Sequence, residues 1–116
     1  MYYNLKPIIK WSGGKKDELK EIIKYIPEKY NTYIEPFIGG GALYFHLNPE
    51  KAVINDIHSE LIAFYKSIKD NKILDIYNFM KENPNDETTY YKVRSLKCQN
   101  ELDIAKRFYY LRKNMF

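Results

Sequence analysis

The amino-acid sequence predicts an α/β chain, in which one strand, glycine loop, helix and strand are followed by helices alone. Three observations lead there. Residues 32–35 form a short β-branched and aromatic run, stopped by Pro36 and followed by Gly39, Gly40 and Gly41, which reach backbone angles other residues avoid. Residues 52–55 are a second small strand-forming run that ends at Asp56. Ala42–Leu47 lies between the two runs as a short helix, with Asn48-Pro49 as the turn. Beyond Asp56 the apolar spacing becomes helical and stays so.

The elements follow in order. Residues 17–26 carry Leu19, Ile22, Ile23 and Ile26 at the spacing of an amphipathic helix, which Pro27 ends. The strand, loop, helix and second strand come next as a βαβ unit. Ile57, Leu61, Phe64, Tyr65 and Ile68 then form one helical stripe. Ile73, Ile76, Tyr77 and Met80 form another, which Asn83-Pro84 breaks. Asp86 is a good N-cap for a third helix, and a fourth runs from Glu101 through Leu102, Ala105, Phe108 and Tyr109 toward the terminus. No Gly, Pro or polar tail closes that helix after Met115 and Phe116, so the C-terminus is expected to be a cut edge.

With 116 residues, 45% of them hydrophobic and 29% charged, the chain suits one globular domain and excludes an unstructured polyelectrolyte or a collagen-like repeat. No apolar run approaches the ~20 residues of a membrane-crossing helix, and the N-terminus lacks a signal-peptide block. The default address is the cytosol or nucleus, and the cytoplasm is the expected one. The single cysteine, Cys98, makes no internal disulfide and no zinc thiolate set, and it is read as a helix-face residue rather than a nucleophile. His46 and His58 have no metal-ligand spacing.

Nineteen Lys and Arg against fifteen Asp and Glu leave a net charge of +4, which leans toward an anionic partner. The excess sits at the two ends, in Lys6, Lys10, Lys15 and Lys16 and in Lys106, Arg107, Arg112 and Lys113. The alternative is that these residues solvate helix faces. Most of the 12 tyrosines fall at helical core spacing and are read as packing rather than as base-stacking platforms.

Two constellations carry chemistry. In the first, the strand ending Tyr33-Ile34-Glu35-Pro36 runs into Phe37-Ile38-Gly39-Gly40-Gly41, and Asp56 closes the next strand. Ligands in open α/β sheets sit beyond the carboxyl ends of the strands, where glycines admit close approach and an acid accepts from ribose hydroxyls. The pattern suits an adenosine-containing cofactor. Its consecutive glycines disfavour a nicotinamide dinucleotide, and the alternative is a simple strand-to-helix turn. The second constellation, Lys10-Trp11-Ser12-Gly13-Gly14-Lys15, precedes the first helix, where free amides and a lysine favour a carboxylate or phosphate. It is not a P-loop, because no glycine stands five places before Gly14 and Lys16 follows the Gly-Lys pair. Trp11 is either a core anchor or a stacking platform for an adenine ring.

Lys10-Trp11-Ser12-Gly13-Gly14-Lys15, Glu35-Pro36-Phe37-Ile38-Gly39-Gly40-Gly41-Ala42 and Asn55-Asp56-Ile57, in that order and spacing, resemble the opening motifs of the Dam-like (D12 class) adenine-specific DNA methyltransferases. The resemblance continues through Leu61-Ile62-Ala63-Phe64-Tyr65 and returns at Arg107-Phe108-Tyr109-Tyr110-Leu111. It implies a partial Rossmann-like, S-adenosylmethionine-dependent methyltransferase fold over residues 1–70. Residues 71–116 would be helices that begin the DNA target-recognition region. It further implies that S-adenosylmethionine is bound by Trp11, Lys15, Glu35, Pro36, Phe37, Gly39, Gly40, Gly41, Asp56 and Ile57. Lys15 would face the methionine carboxylate and Asp56 would accept from the ribose. Lys106, Arg107, Arg112 and Lys113 would touch the phosphates of double-stranded DNA.

The family also uses an Asp-Pro-Pro-Tyr-type motif to hold the flipped adenine for transfer. This sequence has none, since its five prolines are never adjacent. Two strands make at best a marginal sheet, so further strands are expected on other sequence. The expected function is the N-terminal fragment of a site-specific DNA adenine methyltransferase, inactive alone, or half of a split enzyme that needs a complementary chain. The alternatives are a non-catalytic cofactor-binding or regulatory module and, last, a small helical DNA-binding protein.

Overall fold

The computed structural model describes residues 18–114. They fall into two compact units, one ending at Ile57 and the other beginning at His58. The expectations attached to Trp11, Lys15 and the rest of the Lys10 to Lys15 motif lie outside the described residues, as do those on Met115 and Phe116.

The first unit contains α1 (Leu19–Ile23), β1 (Tyr33–Glu35), α2 (Ala42–Leu47) and β2 (Ala52–Ile54). The two strands pair in parallel, Tyr33 opposite Ala52, Ile34 opposite Val53 and Glu35 opposite Ile54. Parallel pairing requires a crossover that returns the chain to the starting edge, and α2 supplies it. Each strand is one residue shorter than its spacing predicts, although Asn55 N–H still donates to the Glu35 carbonyl at 2.8 Å and extends the ladder. The first helix is also shorter than the predicted 17–26. Past Ile23 the bonds tighten to three-residue closures, Tyr25 N–H to Ile22 O and Ile26 N–H to Ile23 O, before Pro27 removes the next donor. Ala42–Leu47 forms as expected, and Asn48 ends it in the left-handed region at φ 44°, donating its N–H to Tyr44 O. Ile34 and Val53, paired across the strands, are both exposed.

The second unit is helical: α3 (Ser59–Lys69), α4 (Ile73–Glu82), α5 (Glu87–Arg94) and α6 (Glu101–Lys113). The other three helices pack on α6. Leu61 and Phe64 from α3, Ile76 from α4, Val93 from α5 and Ala105, Phe108 and Tyr110 from α6 are buried, and each large side chain among them stabilises by about 1.5–3 kcal/mol. The Phe64 ring stacks on Tyr109 with centroids 5.2 Å apart and tilts against Phe108 at 6.1 Å. Tyr110 satisfies its buried hydroxyl by donating to Pro84 O at 2.9 Å. Asp86 caps α5 as expected by accepting from Thr89 N–H, and Asn100 caps α6 through Asp103 N–H.

Three expectations are corrected here. Ile57 is not part of the α3 stripe: His58 is extended, the helix starts at Ser59, and Ile57 is 96% exposed. On α4, Ile76 is buried, whereas Ile73 and Tyr77 of the same stripe are exposed. Cys98 sits in the loop between α5 and α6 rather than on a helix face, because α5 already closes at Ser95 and α6 begins only beyond its Asn100 cap. The last helix closes at Asn114, which is buried and extended, and whose backbone N–H and side-chain amide both donate to Tyr110 O at 3.0 Å.

Candidate functional site

The period of two along β1 puts Tyr33 and Glu35 on one side of the strand and Ile34 on the other. Glu35 is 7% exposed, and Tyr33 donates its phenol hydroxyl to the Glu35 carboxylate. Burial, and after it this bond to Glu35, pushes the Tyr33 phenol well above the ordinary tyrosine range. Pro36, without an N–H, ends the strand at this carboxylate.

The loop that follows is stitched to the chain leaving β2. Ile38 N–H donates to Asn55 O at 2.9 Å, Gly39 N–H to Asp56 Oδ2 at 3.0 Å, and Gly41 N–H back to Ile38 O at 2.8 Å. Gly39 at φ 51° and Gly41 at φ 75° occupy the left-handed region, where a Cβ would meet the following carbonyl. Gly41 is also the N-cap residue of α2, its carbonyl accepting from Phe45 N–H. Ile38 is the buried apolar anchor of the loop.

The result brackets a glycine loop with two carboxylates at the carboxyl ends of two parallel strands. Glu35 stands at the end of β1, and Asp56 stands just past β2 with one oxygen on the loop backbone. Carboxylates so placed accept from hydroxyl or ammonium groups, and the Cβ-free Gly39 and Gly41 leave room for close approach. Phe37, Pro36 and Ile57 are exposed around the same loop, and Gly40 is half-buried within it. Glu35, Gly39, Gly41 and Asp56 are thus joined by the strand ends and the loop bonds, while Phe37 and Ile57 add apolar surface without polar anchoring. Tyr33 is the participant that motif reading passes over. Its signal was present in its position two residues before Glu35 on a strand, and so on the same side.

The four basic residues lie on α6 but not on one face. At roughly 100° per residue, Lys106 and Lys113 share a face and Arg107 and Arg112 fall to either side. Arg107 is tied within its own unit, donating Nη1 to Leu96 O at 2.8 Å and Nη2 to Glu60 Oε1 at 3.3 Å. Arg112 lies over the Phe108 ring and Lys113 over the Tyr109 ring, and both residues are exposed. Among the described residues no group of three or more His, Cys, Asp or Glu is placed to hold a metal ion, and no helix is long and apolar enough to cross a membrane.

Comparison with known proteins adds the following. The model of the D12 class N6 adenine-specific DNA methyltransferase family matches residues 11–116. The type II methyltransferase M.CviBI of Paramecium bursaria Chlorella virus NC1A is 54% identical over 97% of this chain and 44% of its own length. The type II methyltransferase M.MjaIII of Methanocaldococcus jannaschii is 33% identical over 97% of the chain and 46% of its own. The DNA N-6-adenine-methyltransferase of Escherichia phage P1 is 30% identical over 96% of the chain and 15% of its own. The chain spans less than half the length of each of these relatives.

Proposed function

We propose that this chain, which belongs to the D12 class N6 adenine-specific DNA methyltransferase family, is the S-adenosylmethionine-binding, N-terminal portion of a site-specific DNA adenine methyltransferase. The complete enzyme would move a methyl group from S-adenosylmethionine to the 6-amino group of adenine in duplex DNA, in the cytoplasm. The parallel pair β1–β2 would be the start of a Rossmann-like sheet. Residues 1–70 would belong to the cofactor-binding part and residues 71–116 to the helical start of the target-recognition region.

The observation that carries this reading is the pair of carboxylates, Glu35 and Asp56, bracketing a loop whose Gly39 and Gly41 are left-handed. These residues fit the cofactor's chemistry. Its ribose hydroxyls and ammonium need acceptors, which Asp56 and Glu35 provide, and its bulk needs a backbone without Cβ atoms nearby, which the glycines provide. When bound, the sulfonium supplies an electrophilic methyl group. The chain's own residues would orient the donor: Asp56 by accepting from the ribose while its other bond fixes Gly39, and Pro36, Phe37 and Ile57 by offering exposed apolar surface to the adenine. Trp11 and Lys15 belong to the same proposed site by their motif.

Transfer also needs acceptors for the adenine amino group, whose lone pair is delocalised into the ring, and the chain has no Asp-Pro-Pro-Tyr-type motif to provide them. The chain alone is therefore expected to bind donor and not to methylate. Transfer would require the remaining portion, on the same or a complementary chain. Lys106, Arg112 and Lys113 would contribute phosphate contacts, and Arg107 would contribute chiefly by holding α6 in place.

Titration calorimetry of the chain with S-adenosylmethionine tests the reading. Saturable binding that Asp56→Ala weakens is expected, and no heat of binding by the intact chain would overturn it. Binding without transfer even after the remaining family portion is added would instead identify a non-catalytic cofactor-binding module.

A further inference from the structure

We propose that Tyr33 is the positioning residue of this site: its hydroxyl holds the Glu35 carboxylate in the one orientation from which that carboxylate accepts from the cofactor. The assignment rests on the reading of the Glu35 to Gly41 loop as the S-adenosylmethionine site.

A glutamate has three side-chain torsions, and at a strand end it would sample several rotamers. At Glu35 the choice is restricted twice. The side chain is buried, so it has to be partnered within the fold, and the donor that meets Oε2 is the Tyr33 phenol from the same side of β1. The phenol is itself fixed at both ends. The Tyr33 backbone N–H donates to Lys51 O at 2.9 Å, and the residue pairs with Ala52 across the sheet. Its ring contacts Tyr44 of α2 with centroids 6.1 Å apart, and Tyr44 in turn meets Phe45 edge-on at 5.2 Å. The carboxylate is therefore oriented through one side chain with only two torsions, itself held by the sheet and by the ring of Tyr44. The phenol stays protonated, and so remains a donor, well above neutral pH.

Tyr33→Phe keeps the ring and its contact with Tyr44 and removes only the donor. With the full chain, calorimetry is expected to show S-adenosylmethionine bound about tenfold more weakly by Tyr33→Phe, the size of a hydrogen bond to a charged group. The Tyr33→Phe, Glu35→Ala double variant should bind no more weakly than Glu35→Ala alone, since a residue acting only through Glu35 has nothing left to position. A second readout does not depend on cofactor. In protein labelled with 13C at the tyrosine ring carbon bearing oxygen, the Tyr33 signal, assigned by its loss in Tyr33→Phe, should titrate above the ordinary tyrosine range and move toward that range in Glu35→Gln. Wild-type binding that Tyr33→Phe leaves unchanged, or additive losses in the double variant, would overturn the role of Tyr33 and leave the cofactor reading standing. A Tyr33 titration indifferent to Glu35→Gln would also overturn it. No binding by the wild-type chain would overturn the cofactor reading and the role of Tyr33 together, whatever the labelled tyrosine shows.

Discussion

Gly39 gives its backbone N–H to Asp56 Oδ2 at 3.0 Å, so the glycine loop hangs from the residue just beyond the second strand, 17 positions further along the chain. Asp56 thereby holds the loop, and in the proposed function it has a second, separable task of offering an acceptor to the cofactor. Asp56→Asn keeps an acceptor for Gly39 and removes the charge, whereas Asp56→Ala removes both. Chemical unfolding should find the Asn variant within about 0.5 kcal/mol of wild type and the Ala variant about 1–2 kcal/mol less stable. Calorimetry should find that both lose cofactor affinity. Equal stability of the two variants would show that the loop does not depend on this bond.

The three consecutive glycines are not equivalent. Gly39 and Gly41 hold φ of 51° and 75°, and Gly40 is not among the residues with positive φ. Gly41→Ala and Gly39→Ala should each cost about 1–2 kcal/mol through the misplaced Cβ, with Gly40→Ala costing less on backbone grounds. Thermal denaturation of the three variants decides this, and a Gly40→Ala loss as large as the others would contradict it.

In the helical unit, Tyr110→Phe removes the partner of the Pro84 carbonyl that comes from α6 and leaves that carbonyl with the Asp86 N–H alone. A loss of about 1 kcal/mol is expected in urea unfolding. Retention of wild-type stability would mean that water replaces the hydroxyl there.

The basic residues of α6 should separate by role. If the chain binds duplex DNA, Lys106→Gln or Lys113→Gln should each lower the slope of log affinity against log salt by roughly one. Arg107→Gln should instead lower the stability of the helical unit by about 1 kcal/mol, because it releases both Leu96 O and Glu60. Fluorescence anisotropy at several salt concentrations, beside melting curves, checks both. An Arg107→Gln chain with wild-type melting and a reduced slope would reverse the assignment.

The Asp86 cap predicts a pH dependence. The Thr89 backbone N–H, and after it the Thr89 hydroxyl, hold the Asp86 carboxyl below its ordinary value of 3.8. A depressed folded-state value means that the cap's contribution is fully present above 3.8 and lost as pH falls through the lower, folded value. Asp86→Asn, still a good N-cap, should reduce the acid sensitivity of helicity measured by circular dichroism. Identical acid profiles would show that the cap does not titrate.

Local chemistry made much of this protein legible before any coordinates. Pro36 and the glycines delimit β1 and its loop, Ala42–Leu47 stands where its apolar run lies, and Asp86 announces α5. Glu35, Gly39, Gly41 and Asp56 were named from motif and spacing, and the fold joins Gly39 to Asp56. What spacing misread were the margins. Ile57 looked like the first residue of a stripe and Cys98 like a helix residue, because periodicity carries no information on where a cap interrupts it.

The sequence by itself determined which segments are strand, loop and helix and which family the motifs resemble, since those depend on residues a few positions apart. Only the tertiary structure decided that Asp56 holds Gly39 and that Arg107 is bound to Glu60, 47 residues away. Side-chain partners are chosen by which surfaces burial brings together. A buried polar group has to find its partner among whatever the fold delivers, and no local pattern of residues specifies that neighbour.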